Sequence, residues 1–242
     1  KDLDFSADEP KRVDTALLYV LNDYAGNKGH TFLIINRLPE DCNAFLKESG
    51  EIKGSLSKRH IDAAVARCRS NGQIVTEGER VYSKKRYESE KTVADILRAR
   101  IDVKSRYAAV PKEKIEACVA EIQEELEVEL DPLQREAVEM ALCNQTSILT
   151  GGAGCGKPTT VRFIIGVMEK LSKICRISGV EIALAAPTGM AAKRMKASTG
   201  KESKTIHKLI EYNPALPALT LNEDNPLPYD FVIVDELSMV DI

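Results

Sequence analysis

Apolar residues recur at helical spacing through the first part of the chain. Val13, Ala16, Leu17, Val20 and Leu21 fall on one face of a helix, and Ile61, Ala64, Val65 and Cys68 on one face of another. Ser57 stands where the second helix needs an N-cap. From Gly72 to Tyr82 the pattern shortens, which predicts two short strands around a Glu77-Gly78 turn. Thr92 to Ile101 predicts a further helix.

Near residue 110 the pattern changes. Pro111 to Leu130 predicts an acidic helix carrying Glu113, Glu116, Glu121, Glu124, Glu125, Glu127 and Glu129, read as a solvated face. Asp131 and Pro132 restart a helix as cap and first-turn residue. The order then becomes strand, glycine loop, helix, strand, helix, strand, the alternation of a parallel α/β sheet. The expected organisation is a mainly helical, winged-helix-like accessory domain over residues 1–110 and an α/β domain over 111–242.

Composition narrows the class without naming it. The chain has 242 residues, 43% hydrophobic and 29% charged, as in ordinary globular proteins. No apolar run approaches the roughly 18 residues of a membrane span, and the first ten residues carry no secretory signal. The six cysteines are scattered without a CxxC pair, which argues for a reducing cytoplasm and against a zinc site. Net charge is -3, so any nucleic acid must be met by local patches. Lys1 in place of Met suggests a piece of a longer protein.

The chemistry begins after the β-prone run Thr146 to Thr150. Gly151, Gly152, Ala153, Gly154, Cys155, Gly156 and Lys157 follow, and then a helix with Val161, Ile164, Ile165, Val167, Met168 and Leu171 on its apolar side. Strand, G-x-x-x-x-G-K and helix together form the phosphate-loop pattern. Glycines let the backbone curl its N–H groups onto one anion, the helix N-terminus adds partial positive charge, and Lys157 supplies a point charge. The residue after the lysine breaks the pattern. Pro158 stands where a Ser or Thr hydroxyl would ligate Mg²⁺, and it has neither hydroxyl nor N–H. Hydrolysis is therefore expected to be impaired. Thr159 and Thr160 complete the candidate nucleotide set.

Two further segments carry candidate chemistry. Phe231 to Val234 reads as a buried parallel strand ending in Asp235 and Glu236. Asp235 would hold Mg²⁺ and Glu236 would activate water, at the sheet edge where such folds bind ligands. Ile182 to Ala186 is another apolar strand, followed by Pro187, Thr188, Gly189, Met190, Ala191, Ala192, Lys193, Arg194 and Met195. From Thr188 to Lys208 there are six Lys or Arg and one acid, Glu202, an excess that suits either a polyanion or a solvated face.

In this order the motifs resemble those of superfamily 1 DNA helicases of the RecD-like type, the exodeoxyribonuclease V alpha subunit. The resemblance rests on Leu130 to Val138, on the glycine loop, on Ala186 to Met195 with Thr199-Gly200 and Thr205 to Leu209, and on Asp235 to Asp241. It implies a RecA-like P-loop NTPase fold with helices on both faces of the sheet, incomplete at its C-terminus. It implies ATP and Mg²⁺ as cofactors, with Lys157, Asp235 and Glu236 catalytic and Gln134 reading adenine. Pro187, Thr188, Gly189, Lys193, Arg194, Thr205 and His207 would meet single-stranded DNA. It also implies 5′-to-3′ translocation in DNA repair and recombination. The first hundred residues resemble, less specifically, the region ahead of the motor, where Lys58, Arg59, Arg67 and Arg69 are open to duplex DNA or to packing. The second motor domain, with its arginine finger, is expected to be missing, so the fragment alone should not unwind DNA. Two alternatives stay open: another P-loop ATPase, or a non-catalytic DNA-binding module in which Pro158 marks a lost active site.

Overall fold

The computed structural model describes residues 9–48, 55–152, 154–175, 180–216, 220–222 and 224–242. The chain divides into two compact units, Lys1–Ile96 with Asp241–Ile242, and Leu97–Val240. The change of sequence character near residue 110 therefore falls inside the second unit, since Tyr107 already belongs to its core.

The first unit runs α1 (Pro10–Tyr19), a π-helical turn (Val20–Tyr24), the short α2 (Ala25–Asn27), β1 (Leu33–Ile34), α3 (Leu38–Glu48), α4 (Lys58–Ser70), β2 (Ile74–Glu77), β3 (Arg80–Ser83) and α5 (Lys84–Arg100). The antiparallel sheet has the order β1-β3-β2. Helix, strand, two helices and a hairpin on the same small sheet make it winged-helix-like. Val13, Leu17, Leu38, Cys42, Ile61, Val65, Cys68, Ile74 and Val81 form its core. The register pairs Glu77 with Arg80, so Gly78 and Glu79 make the two-residue turn. Gly78 adopts φ +56°, a conformation that favours glycine.

Polar links help to fix this unit. Arg67 grips the Asp14 carboxylate at 2.7 Å from Nη2, joining α4 to α1. The Asn43 amide accepts from the Leu56 N–H at 2.7 Å and donates to the Leu56 carbonyl at 2.9 Å, holding the approach to α4 against α3. One boundary differs from expectation. α5 starts at Lys84, directly after β3, because Ser83 Oγ accepts the Arg86 N–H and so offers a cap that the apolar pattern does not register.

The second unit runs α6 (Lys112–Leu126), α7 (Pro132–Cys143), α8 (Lys157–Ile174), β4 (Ile182–Ala186), α9 (Gly189–Thr199), β5 (Ser203–Thr205), α10 (Ile206–Leu209), β6 (Phe231–Val234) and a 3-10 turn (Leu237–Met239). The parallel sheet has the order β5-β4-β6. Leu184 meets Ile165 of α8 and Met195 of α9 on one face. Ala183 and Ala185 meet Leu209 on the other. Helices thus lie on both faces of β4, whereas Val232 and Val234 leave one face of β6 exposed, so this strand is less buried than its apolar run predicts. Beyond α8, a larger core joins Ile115, Val119 and Ile122 of α6 and Val138 and Leu142 of α7 to Phe163, Val167 and Leu171. The α6 glutamates lie on its solvent side, with Glu121 and Glu125 paired to Lys170.

The strand expected over Thr146–Thr150 is not formed. A strand exists through its ladder, and among the described residues none pairs with this run. Ile148 is accordingly 71% exposed and Leu149 37%. Its β-propensity finds no partner edge to act on.

Candidate nucleotide and polyanion site

The glycine loop leads into α8, and Gly156 is the helix N-cap at φ +76°. A Cβ built there would lie 2.4 Å from Gln134 Nε2, the movable end of that side chain, so it is the left-handed backbone that favours glycine at 156. Asp131 starts α7 by accepting the Leu133 N–H at 2.9 Å, and Gln134 Oε1 accepts the Asp131 N–H at 3.1 Å. This reciprocal cap is the reason Gln134 turns back over the helix start. From there its Nε2 donates to the Cys155 carbonyl at 3.1 Å.

Asp131, Leu133, Gln134, Ala137, Leu149, Thr150, Gly151, Gly154, Cys155, Gly156, Lys157 and Thr160 line one pocket of about 570 Å³. That volume is in the range of a nucleotide-sized ligand. Leu133, Ala137 and Leu149 give it an apolar side that the motif reading did not identify, and only the fold could bring them to the loop. Lys157 Nζ lies in the curl of its own loop, bonded to the Gly151 carbonyl at 2.6 Å and the Gly152 carbonyl at 2.8 Å. Cys155 is exposed, with its sulfur 3.7 Å from that ammonium. Ala153 lies outside the described residues.

The residues do not complete a magnesium site at the loop. Pro158 offers no ligand. Thr160 is buried and its hydroxyl donates to the Gly156 carbonyl at 3.3 Å, while Thr159 is not among the pocket's lining. Asp235 and Glu236 lie outside this pocket as well. No group of three or more His, Cys, Asp or Glu side chains poised for a metal occurs among the described residues.

The acidic pair stands at the end of β6. The Asp235 N–H donates to the Ala185 carbonyl at 2.9 Å, continuing the β4–β6 ladder by one bond. Asp235 Oδ1 accepts the Glu236 N–H at 2.9 Å, and Glu236 turns the chain at φ +53°. Both side chains are exposed. The register places Ala186 beside Thr205 and Ala185 beside Val234. Pro187, Thr188, Thr205, Asp235 and Glu236 therefore collect at one edge, the C-terminal ends of three parallel strands.

Both threonines cap helices there. Thr188 Oγ1 accepts the Ala191 N–H at 3.2 Å to start α9, and Thr205 Oγ1 accepts the Lys208 N–H at 3.3 Å to start α10. Gly189 is the first residue of α9. Lys193 and Arg194 project from α9 into solvent, Arg194 resting 3.8 Å from Met190 Sδ. Lys196 and Lys201, by contrast, are neutralised by Glu202 and Glu169. His207 is exposed and packs edge-on against Tyr212, ring centres 5.3 Å apart.

Residues 134–242 match the AAA domain family, from the glutamine over the glycine loop to the acidic pair. Along nearly its whole length the chain is similar to the ATP-dependent RecD2 DNA helicase of Deinococcus radiodurans, at 28% identity over 96% of this chain and 31% of that protein. At this level the chain is similar to a RecD2 helicase. The RecBCD enzyme subunit RecD of Mycolicibacterium smegmatis is 33% identical over 45% of this chain and 23% of that subunit. The Haemophilus influenzae subunit of the same name is 33% identical over 45% and 20%. The chain thus spans less than a third of the length of these relatives. It has an α/β P-loop fold, and no described helix is long and apolar enough to cross a membrane.

Proposed function

We propose that this chain is the front part of an ATP-driven DNA helicase motor. The observation that carries this reading is the convergence of Gln134, the glycine loop and Lys157 on one pocket at the N-terminus of α8. ATP would bind with its triphosphate in the loop, Lys157 leaving its two carbonyls for the β- and γ-phosphates. Gln134 would face the base. Single-stranded DNA would cross the strand-end edge, its phosphates meeting Lys193 and Arg194. Thr188 and Thr205 keep a hydroxyl proton free for the same strand while their oxygens cap helices. Asp235 and Glu236 would act on a nucleotide brought to that edge. Polarity would be 5′-to-3′, as in the type the motifs resemble. The first unit would bind duplex DNA with Arg59 and Arg69, while Lys58 is paired with Asp62. Arg67 is committed to Asp14 and would serve packing.

One observation favours a second reading, a nucleotide-binding module that does not hydrolyse. Pro158 removes a magnesium ligand, and neither neighbouring threonine replaces it at the pocket. Titration calorimetry of ATP with and without Mg²⁺, into this chain and into Pro158→Thr, tests both. The expected result is ATP binding by this chain that Mg²⁺ does not strengthen, and a magnesium-dependent gain of about tenfold in Pro158→Thr, the worth of one good ligand interaction. Equal magnesium dependence in the two proteins would restore a working metal site to the native loop. No binding by either would remove the nucleotide reading.

A further inference from the structure

Gln134 has a second relation to the pocket besides facing a base. Its two amide ends are both engaged by backbone, and the two engagements oppose each other in direction. Oε1 takes the Asp131 N–H at 3.1 Å. Nε2 gives to the Cys155 carbonyl at 3.1 Å. The first contact fixes the second, because a flipped amide would set its NH₂ against the Asp131 N–H.

The consequence falls on the loop. The peptide joining Cys155 to Gly156 is planar and trans, so its carbonyl and its N–H point to opposite sides. With the Cys155 carbonyl held by Gln134, the Gly156 N–H points away from that side chain. No described group accepts that N–H. The same residue is held from its other end, where the Gly156 carbonyl accepts the Thr160 N–H at 3.0 Å and the Thr160 hydroxyl at 3.3 Å. Gly156 is thus set between α7 and α8 with one donor left for a ligand. Its missing side chain is what lets Gln134 come so near.

We infer that Gln134 is a positioning residue for the phosphate loop, presenting the Gly156 N–H to an anionic oxygen whether or not the ligand carries a base. This rests on the nucleotide reading above and assigns the glutamine a task on the phosphates. Filling of the base position and shape of the phosphate loop are then linked through one amide. A base that draws Nε2 away releases the Cys155 carbonyl.

A ligand with phosphates and no base separates this role from base recognition. Inorganic tripolyphosphate and ATP are titrated calorimetrically, in metal-free buffer, into this chain, into Gln134→Met and into Val138→Ala. Methionine keeps the length of the side chain and adds no charge, but cannot donate. Val138→Ala loosens the buried side of α7 and leaves Gln134 in place. Circular dichroism and melting fix a temperature at which all three proteins are folded. The expected result is a two- to tenfold loss of tripolyphosphate affinity in Gln134→Met, about the worth of one hydrogen bond, with Val138→Ala unchanged. Unchanged tripolyphosphate binding in Gln134→Met, with ATP weakened, would make the glutamine a base contact alone and overturn the inference while leaving the ATP site intact. Equal losses in Gln134→Met and Val138→Ala would assign the effect to helix stability and overturn it too. If the parent chain bound neither ligand, the nucleotide reading and this inference would fall together.

Discussion

At the scale of single residues, the second unit owes much to backbone donors caught by short acidic side chains. Asp230 is the clearest case. Its carboxylate accepts the Glu181 N–H at 2.9 Å and pairs with Arg106 at 2.6 Å, tying the approach to β6 to the approach to β4. The backbone N–H first, and the guanidinium second, hold its pKa below the usual carboxylate value. A depressed folded-state pKa stabilises the fold at pH above the unfolded value, near 3.9, and that contribution fades as pH falls through the lower folded value. Asp230→Asn should therefore unfold more easily than the parent at neutral pH, and the difference should begin to shrink as pH falls below about 4. Urea unfolding from pH 7 to pH 3 measures it, and a gap that stays constant over that range would contradict the assignment. Other ionisable groups follow burial instead. The Cys42 thiol, enclosed in the first core, is pushed up to about 12, which makes it an inert apolar filler.

At the scale of elements, the helices that carry candidate chemistry are also those with caps made from the same residues. Thr188 starts α9 with its own oxygen, and Gly200 ends it at φ +72°. Thr188→Ala should cost about 1 kcal/mol of stability through the lost cap, and Thr188→Ser should restore most of it. Chemical denaturation of the three proteins checks this, and a null effect of the alanine would mean that α9 is held by packing alone. The sequence spells such caps openly. Asp131-Pro132 announces α7 and places Gln134 at its third position. What spacing could not say is that the Gln134 amide would reach 3.1 Å from a carbonyl twenty-one residues on. Nor could it say that Lys157 would fold onto its own loop. Those contacts depend on how α7 and α8 pack, through Leu142, Phe163 and Val167.

At the scale of the molecule, two cores with no residue in common support the two units. Leu17 is fully buried in the first and Phe163 in the second. Leu17→Ala should cost the first unit about 2–5 kcal/mol, and Phe163→Ala the second about 3–5 kcal/mol. Amide hydrogen exchange resolves the two, since each substitution should speed exchange in its own unit and leave the other near its parent rate. Uniform acceleration by either variant would show a single cooperative structure.

Elements whose signal is local can be read from the residues alone. Helical faces, the hairpin turn, the Asp131 cap, the glycine loop, and the strands Ile182–Ala186 and Phe231–Val234 all follow from periodicity, caps and backbone freedom within a few residues. Tertiary structure decided what depends on a distant partner. Thr146–Thr150 has the composition of a strand yet forms none, because a ladder needs a neighbouring edge. The unit boundary falls within α5, a division that the local pattern does not mark. The gathering of Thr188, Thr205 and Asp235 on one edge comes from the parallel register of β4 with β5 and β6, a long-range pairing that no local pattern encodes.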